Sequence, residues 1–171
     1  AQGHQGVQGA QGRQGATGVT GSTGSQGYQG VQGAPGSITS DAQGNTKGGT
    51  NSGDSFSGTS AIKNTLFGYN SGTAITSGDQ HTAVGYDALK TAATTEGNTA
   101  VGFEALKVAT GDLSAAFGWS ALPAANGNGY NAAFGAGAGQ AVTSGSDNSL
   151  FGYTAGSNLE TGNLNICIGS W

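Results

Sequence analysis

Glycine stands at every third position from Gly3 to Gly36, twelve times without a miss. A strict Gly-X-Y run has one common structural explanation: three polyproline-II-like strands wound so closely that only glycine fits at the shared axis. Residues 1–36 are therefore expected to supply one strand of a triple helix, and the chain is expected to work as a homotrimer. At roughly 3 Å per residue this segment would make a rod on the order of 100 Å long.

The side chains of this collagen-like segment are unevenly chosen. Its Y positions hold only Gln, Thr and, at Pro35, proline, whereas its X positions range from His4 through Arg13 to Tyr28. Gln amides donate and accept, so they can bond across chains where proline-rich triple helices rely on ring rigidity. Such a design does without hydroxyproline, which fits a bacterial or viral source better than an animal matrix. Thr17, Thr20 and Thr23 can carry O-linked sugars or simply solvate the helix. The triplet phase is already running at Gln2-Gly3, so the sequence is expected to be a piece of something longer.

Composition narrows the remaining options. Only 8% of the 171 residues are charged, and five Lys+Arg against nine Asp+Glu give a net charge of −4. That balance offers no electrostatic footprint for nucleic acid or an anionic membrane surface. No run of about 18 apolar residues suits a membrane-crossing helix, so membrane insertion is not expected. One cysteine allows no intrachain disulfide, and stability must come from strand pairing and chain association. Residues 37–60, rich in Ser, Gly, Thr, Asp and Asn with Ile38 and Phe56 scattered among them, read as a transition linker with little regular structure.

A second glycine register begins further on. Gly68, Gly85, Gly102, Gly118, Gly135, Gly152 and Gly169 are spaced by 17, 17, 16, 17, 17 and 17 residues, in motifs such as "NTLFGYNSG", "NTAVGFEAL" and "NSLFGYTAG". We number repeat positions from this glycine, negative before it and positive after it. Polar and apolar residues alternate before the glycine, as in Asn98-Thr99-Ala100-Val101, so a short strand is expected there. A period of 17 is too short for two helices. It suits one coil of a β-roll or β-solenoid, with two strands of about five residues and two turns, advancing about 4.8 Å per coil. The predicted shaft spans residues 61–171, with its last repeat cut short.

Four sets of columns stand out. The position before the glycine (Phe67, Val84, Val101, Phe117, Phe134, Phe151, Ile168) is always large and apolar, and is expected to be the core ladder. The position after it is mostly aromatic: Tyr69, Tyr86, Phe103, Trp119 and Tyr153, broken at Ala136 and Ser170. Positions −2 and +4 vary together. Leu66 and Leu150 go with Gly72 and Gly156, while Ala83, Ala100 and Ala116 go with Leu89, Leu106 and Leu122; only Ala133 with Gly139 departs. Such covariation is expected of side chains that share one space. Asn64, Asn98, Asn131, Asn148 and Asn165 occupy the motif start, either as a stacked amide ladder or as turn residues.

The "HTAVGYDAL" and "NTAVGFEAL" repeats, preceded by Gly-X-Y triplets, resemble the shafts of bacteriophage tail fibres and related virion fibres. More distantly, the "A-[VF]-G" strand motif is similar to the head repeats of trimeric autotransporter adhesins. The resemblance spans residues 1–36 and about 61–171, and it implies a fibrous protein: a collagen-like triple helix followed by a trimeric all-β repeat shaft. It further implies an extracellular or virion-surface location, partners among further fibre subunits or a virion baseplate, and a role in holding an adhesive tip for host attachment. The 17-residue period departs from the shorter autotransporter repeat.

No nucleophile elbow, Walker loop, metal-spaced His pair or Cys cluster is present in the sequence, so no enzymatic activity, cofactor or metal is expected. His4 sits at an X position and His81 in the Asn column. Cys167 falls in the −2 column and is expected to pack in the core, with an interchain link as the alternative. The run "GAGAGQ" at residues 135–140 is explained by its phase in the repeat. Asp79, Glu96 and Asp112 share a column and read as a solvated turn, with a Ca²⁺ ladder as the alternative. The aromatic column can pack between coils or chains, or can contact cell-surface glycans through Tyr69, Tyr86, Phe103, Trp119 and Tyr153. Competing readings are a self-assembling extracellular filament, a glycan-binding trimeric adhesin and an ice-binding surface, the last disfavoured by the lack of paired T-x-T rows.

Overall fold

A computed structural model describes residues 38–57, 60–125 and 129–170; the expected triple helix of residues 1–36 lies outside these residues. Among the described residues nine strands form one sheet in chain order: β1 (Thr39–Ser40), β2 (Thr46–Gly48), β3 (Thr65–Phe67), β4 (Thr82–Val84), β5 (Thr99–Val101), β6 (Ala115–Phe117), β7 (Ala132–Phe134), β8 (Ser149–Phe151) and β9 (Ile166–Ile168). Strand β1 pairs antiparallel with β2 and covers the first edge. From β2 to β9 each strand pairs in parallel with the next, in register, so that Thr65, Thr82 and Thr99 lie in one row. The chain is a β-solenoid of about seven turns, without a helix among the described residues.

Each coil carries one strand of three residues, not the two of five expected. The reason is a set of left-handed backbone positions. In the coil around Gly85, positive φ occurs at Gln80 (59°), Gly85 (137°), Asp87 (53°) and Leu89 (52°); the next coil repeats it at Gly97, Gly102, Glu104 and Leu106. Four such positions in 17 residues turn the chain too often for a second long strand. The second segment is instead held by single hydrogen bonds between successive coils, such as Leu89 N to Ala105 O at 3.0 Å and Thr91 N to Lys107 O at 3.0 Å, with one isolated bridge between Asp79 and Glu96.

The first coil lies inside the segment read as a linker. Asn45-Thr46-Lys47-Gly48-Gly49 occupies the repeat positions, with Asn45 buried, β2 paired to β3 and Gly49 at φ 115°. Its −2, −1 and +1 residues are Lys47, Gly48 and Thr50, so it lacks the apolar pattern that marks the other coils. The short coil keeps its columns because its missing residue falls in a turn. Two residues lie between Ile75 and Gly78 and between Val142 and Gly145, but only one lies between Ala109 and Gly111.

The repeat glycine is required twice over. Its φ of 125–142° in these seven coils is one that L side chains rarely adopt. A methyl group on any of the first six would also lie under 3 Å from the backbone of the next coil's glycine, whereas Gly169 faces nothing within 4 Å.

The core lies one residue earlier in the motif than the sequence led us to expect. Leu66, Ala83, Ala100, Ala116, Ala133 and Leu150, at position −2, are all fully buried, joined by Ala88, Ala105, Ala121 and Ala138 at +3 and by Ile75, Ala92 and Val142 at +7. Successive residues of a strand point to opposite faces, so the −1 column of Phe67, Val84, Val101, Phe117, Phe134, Phe151 and Ile168 turns outward. Val84, Phe134 and Phe151 are 37–41% exposed, Ile168 more so, and Phe67, Val101 and Phe117 are half-buried.

The −2 and +4 columns do share one space. A methyl group at Gly72 would lie 2.9 Å from Leu66, and one at Gly156 2.8 Å from Leu150. The exception, Ala133 with Gly139, is filled from above and below: the same test at Gly139 meets Leu122 at 2.7 Å and Leu150 at 2.8 Å. Leu89, Leu106 and Leu122 accept left-handed backbone at φ 47–52°, which costs roughly 1–2 kcal/mol each and is offset by burying a leucine, worth about 1.5–3 kcal/mol.

Two substitutions test these packing arguments. Gly102→Ala combines backbone strain of about 1–2 kcal/mol with overpacking of about 1–3 kcal/mol, while Gly169→Ala carries only the strain. Denaturant midpoints should fall clearly for the first and slightly for the second, and equal losses would contradict the stacking argument. Ala100→Leu with Leu106→Gly should retain roughly 1–3 kcal/mol that Ala100→Leu alone loses, read by the same denaturation curves.

Candidate functional site

In-register parallel stacking repeats every outward residue at the coil spacing, so the residues flanking the glycine form continuous surface columns. At +1, Tyr69 and Tyr86 stack with centroids 5.5 Å apart, Tyr86 and Phe103 at 5.2 Å, and Phe103 and Trp119 at 6.2 Å, all within 9° of parallel. At −1, Phe117 and Phe134 stack at 4.7 Å, and Phe134 and Phe151 at 5.0 Å. Aromatic pairs favour centroid separations of about 4.5–7 Å, so both columns are self-supporting.

All five aromatics expected to meet glycans are exposed. Four of them form one stack, and Tyr153 stands apart from it, across the gap at Ala136. Within the stack each inner ring covers its neighbour's face. Trp119 has no stacked aromatic partner on the side towards Ala136, and Tyr153 has none in the column.

Charge is kept away from this surface. From Asn64 onward no Asp, Glu, Lys or Arg occupies positions −4 to +1 of any coil. The charged residues sit on the turns: Asp79, Glu96 and Asp112 at −6, Lys63 and Asp147 at −5, Asp87 and Glu104 at +2, Lys90 and Lys107 at +5, and Glu160 at +8. Lys90 reaches Asp87 at 2.9 Å and Lys107 reaches Glu104 at 2.7 Å. Burial pushes the Asp87 carboxyl towards a higher pKa, but hydrogen bonds from Asn70 and Lys90 and the nearby lysines hold it below the usual value. The −6 column serves the backbone: Asp79 accepts from Ile62 N–H at 2.8 Å and Asp112 from Glu96 N–H at 2.9 Å. Among the described residues no three of His, Cys, Asp and Glu converge as metal ligands would.

Beneath the surface columns runs a buried polar ladder. Asn45, Asn64, His81, Asn98, Ser114, Asn131 and Asn148 are at most 3% exposed, and each side chain accepts from the backbone N–H of the next rung. Asn amides also donate across coils, as Asn64 does to Gly78 O and Asn148 to Gly162 O. The turn alternative fails because the left-handed residue is the one before, Lys63, Gln80 or Asp147. Among the described residues no buried side-chain N or O lacks a partner. Cys167 is half-buried in the −2 column, opposite Leu150 and against the core. Gly135, Gly137 and Gly139 of "GAGAGQ" take the positive-φ positions 0, +2 and +4.

His81 is the odd rung. Its Nδ1 accepts from Asn98 N–H at 3.1 Å, which requires the neutral ring. Burial lowers its pKa, against raising contributions from Thr95, Asn98, Asp79 and Asp112. A histidine with a depressed folded pKa is protonated more readily in the unfolded chain, so its stabilisation is complete above about pH 6.5 and declines as the pH falls towards the folded value. Carboxylates with lowered values, such as Asp87, act only below about pH 4. Thermal melts of the wild type should therefore lose stability relative to His81→Asn between about pH 6.5 and 4.5. Parallel curves over this window would refute the role given to Nδ1.

Comparison with protein-family models, curated proteins and solved structures gives no match.

Proposed function

We propose that the chain is a structural segment of a homotrimeric fibre, a collagen-like stalk followed by a β-solenoid shaft, that holds an adhesive tip away from a virion or cell. The observation that carries this reading is the continuous, charge-free apolar surface along a rod-forming stack, in the same chain as a Gly-X-Y run whose sequence requires three strands. The mechanism is mechanical. A narrow shaft supplies reach, and threefold symmetry multiplies weak tip contacts through avidity. The chain on this reading is not an enzyme, and its place is extracellular or on a virion surface.

A second reading, in which the shaft itself binds glycans, is favoured by one feature. The +1 stack is interrupted at Ala136, so Trp119 and Tyr153 stand exposed two coils apart in one column with no aromatic residue between them. Sedimentation and electron microscopy of the whole chain, with binding to a glycan array, separate the readings. The fibre reading expects a trimeric rod that binds no glycan. Monomeric particles would overturn it, and glycan binding lost in Trp119→Ala and Tyr153→Ala with the trimer intact would establish the second.

A further inference from the structure

We infer that the copies of this chain pack against one another through the −1 column of the sheet, with Phe67, Val84, Val101, Phe117, Phe134 and Phe151 facing the common axis. The inference rests on the homotrimeric reading and specifies the surface that reading needs.

Two apolar columns run along the solenoid, and their chemistry separates them. The −1 column from β3 to β9 is pure hydrocarbon: four phenylalanines, two valines and an isoleucine. Beside it at −3 lie small residues from β3 to β8, Thr65, Thr82, Thr99, Ala115, Ala132 and Ser149, with the larger Ile166 only in β9, so over β3 to β8 the strand face is shallow enough for another such face to approach. The +1 column carries tyrosine hydroxyls and the Trp119 N–H, groups that suit a boundary wet on one side. It is also bordered by the Asp87–Lys90 and Glu104–Lys107 ion pairs, whose lysines are 34–36% exposed. Val84, Phe134 and Phe151 are 37–41% exposed and the residues between them half-buried, and apolar side chains exposed along one face mark an interaction surface; interface cores are depleted of charge in the same way as positions −4 to +1.

The occupant follows from the chain's own sequence. A Gly-X-Y run calls for three copies of one chain, so the partners within reach of each solenoid's strand face are copies of itself. Identical columns parallel to a common axis match at every height. A threefold arrangement of such copies brings each −1 residue near its own counterparts.

Cysteine crosslinking of the whole chain in a Cys167→Ser background tests this. Phe134→Cys and, separately, Val101→Cys should form interchain disulfides on mild oxidation, because cysteines near a shared axis come within the roughly 7 Å Cα limit. Three cysteines around one axis give one crosslinked pair and one leftover chain, so the monomer band should fall without vanishing. Tyr86→Cys and Trp119→Cys should stay monomeric on the same gel. A trimer by sedimentation that crosslinks only through the +1 positions, or through neither column, would overturn the inference while leaving the homotrimer standing. A monomeric parent chain would instead remove the homotrimer reading itself.

Discussion

Direct backbone-to-backbone contact at the repeat glycine is the constraint on which this structure rests. Where one coil's glycine lies on the next, no side chain of any size can intervene, and the coils close to the spacing of a parallel sheet. That spacing brings like residues into vertical register. Rings then stack on rings, amides bond to amides, and a carboxylate such as Asp79 reaches the backbone of the coil before it. The columns are thus consequences of one close approach.

A narrow interior follows. With one short strand per coil and four turning positions, the cross-section leaves room for alanines and a few leucines, and each leucine must find a gap. The gap need not lie in its own coil. Gly139 is filled by Leu122 and Leu150 from either side, so volume is conserved along the axis as well as within the repeat. The same continuity makes the buried amide ladder demanding, since each rung is both donor and acceptor. His81 continues it with a ring nitrogen in place of an amide oxygen, and thereby ties the middle of the stack to its protonation state.

Much of this was legible in the sequence, and the errors are instructive. Spacing located seven of the eight coil glycines, and covariation between −2 and +4 pointed to a shared space that the structure contains. The face of the strand was misjudged because both of its faces are apolar. Size was the usable signal: alanine at −2 and phenylalanine at −1 fit a tight interior and an open exterior. Spacing alone suggested two strands per coil because it is blind to left-handed backbone, which here falls on leucine, glutamate and tyrosine as well as glycine. The first coil escaped notice because Lys47, Gly48 and Thr50 share its backbone path but not its hydrophobicity. The exposed aromatics could be found from sequence; their mutual stacking, which leaves few faces free, required coordinates.

The coil shortened between Ala109 and Gly111 shows how loosely length is held in one turn while every column around it continues unbroken. Because neighbouring coils present the same backbone surface above and below, a whole repeat can be duplicated or excised wherever the leucines on either side of the cut still find a gap. Such a chain is suited to change its length by recombination between its own repeats, adjusting the distance it spans by refitting only the −2 and +4 side chains at the join.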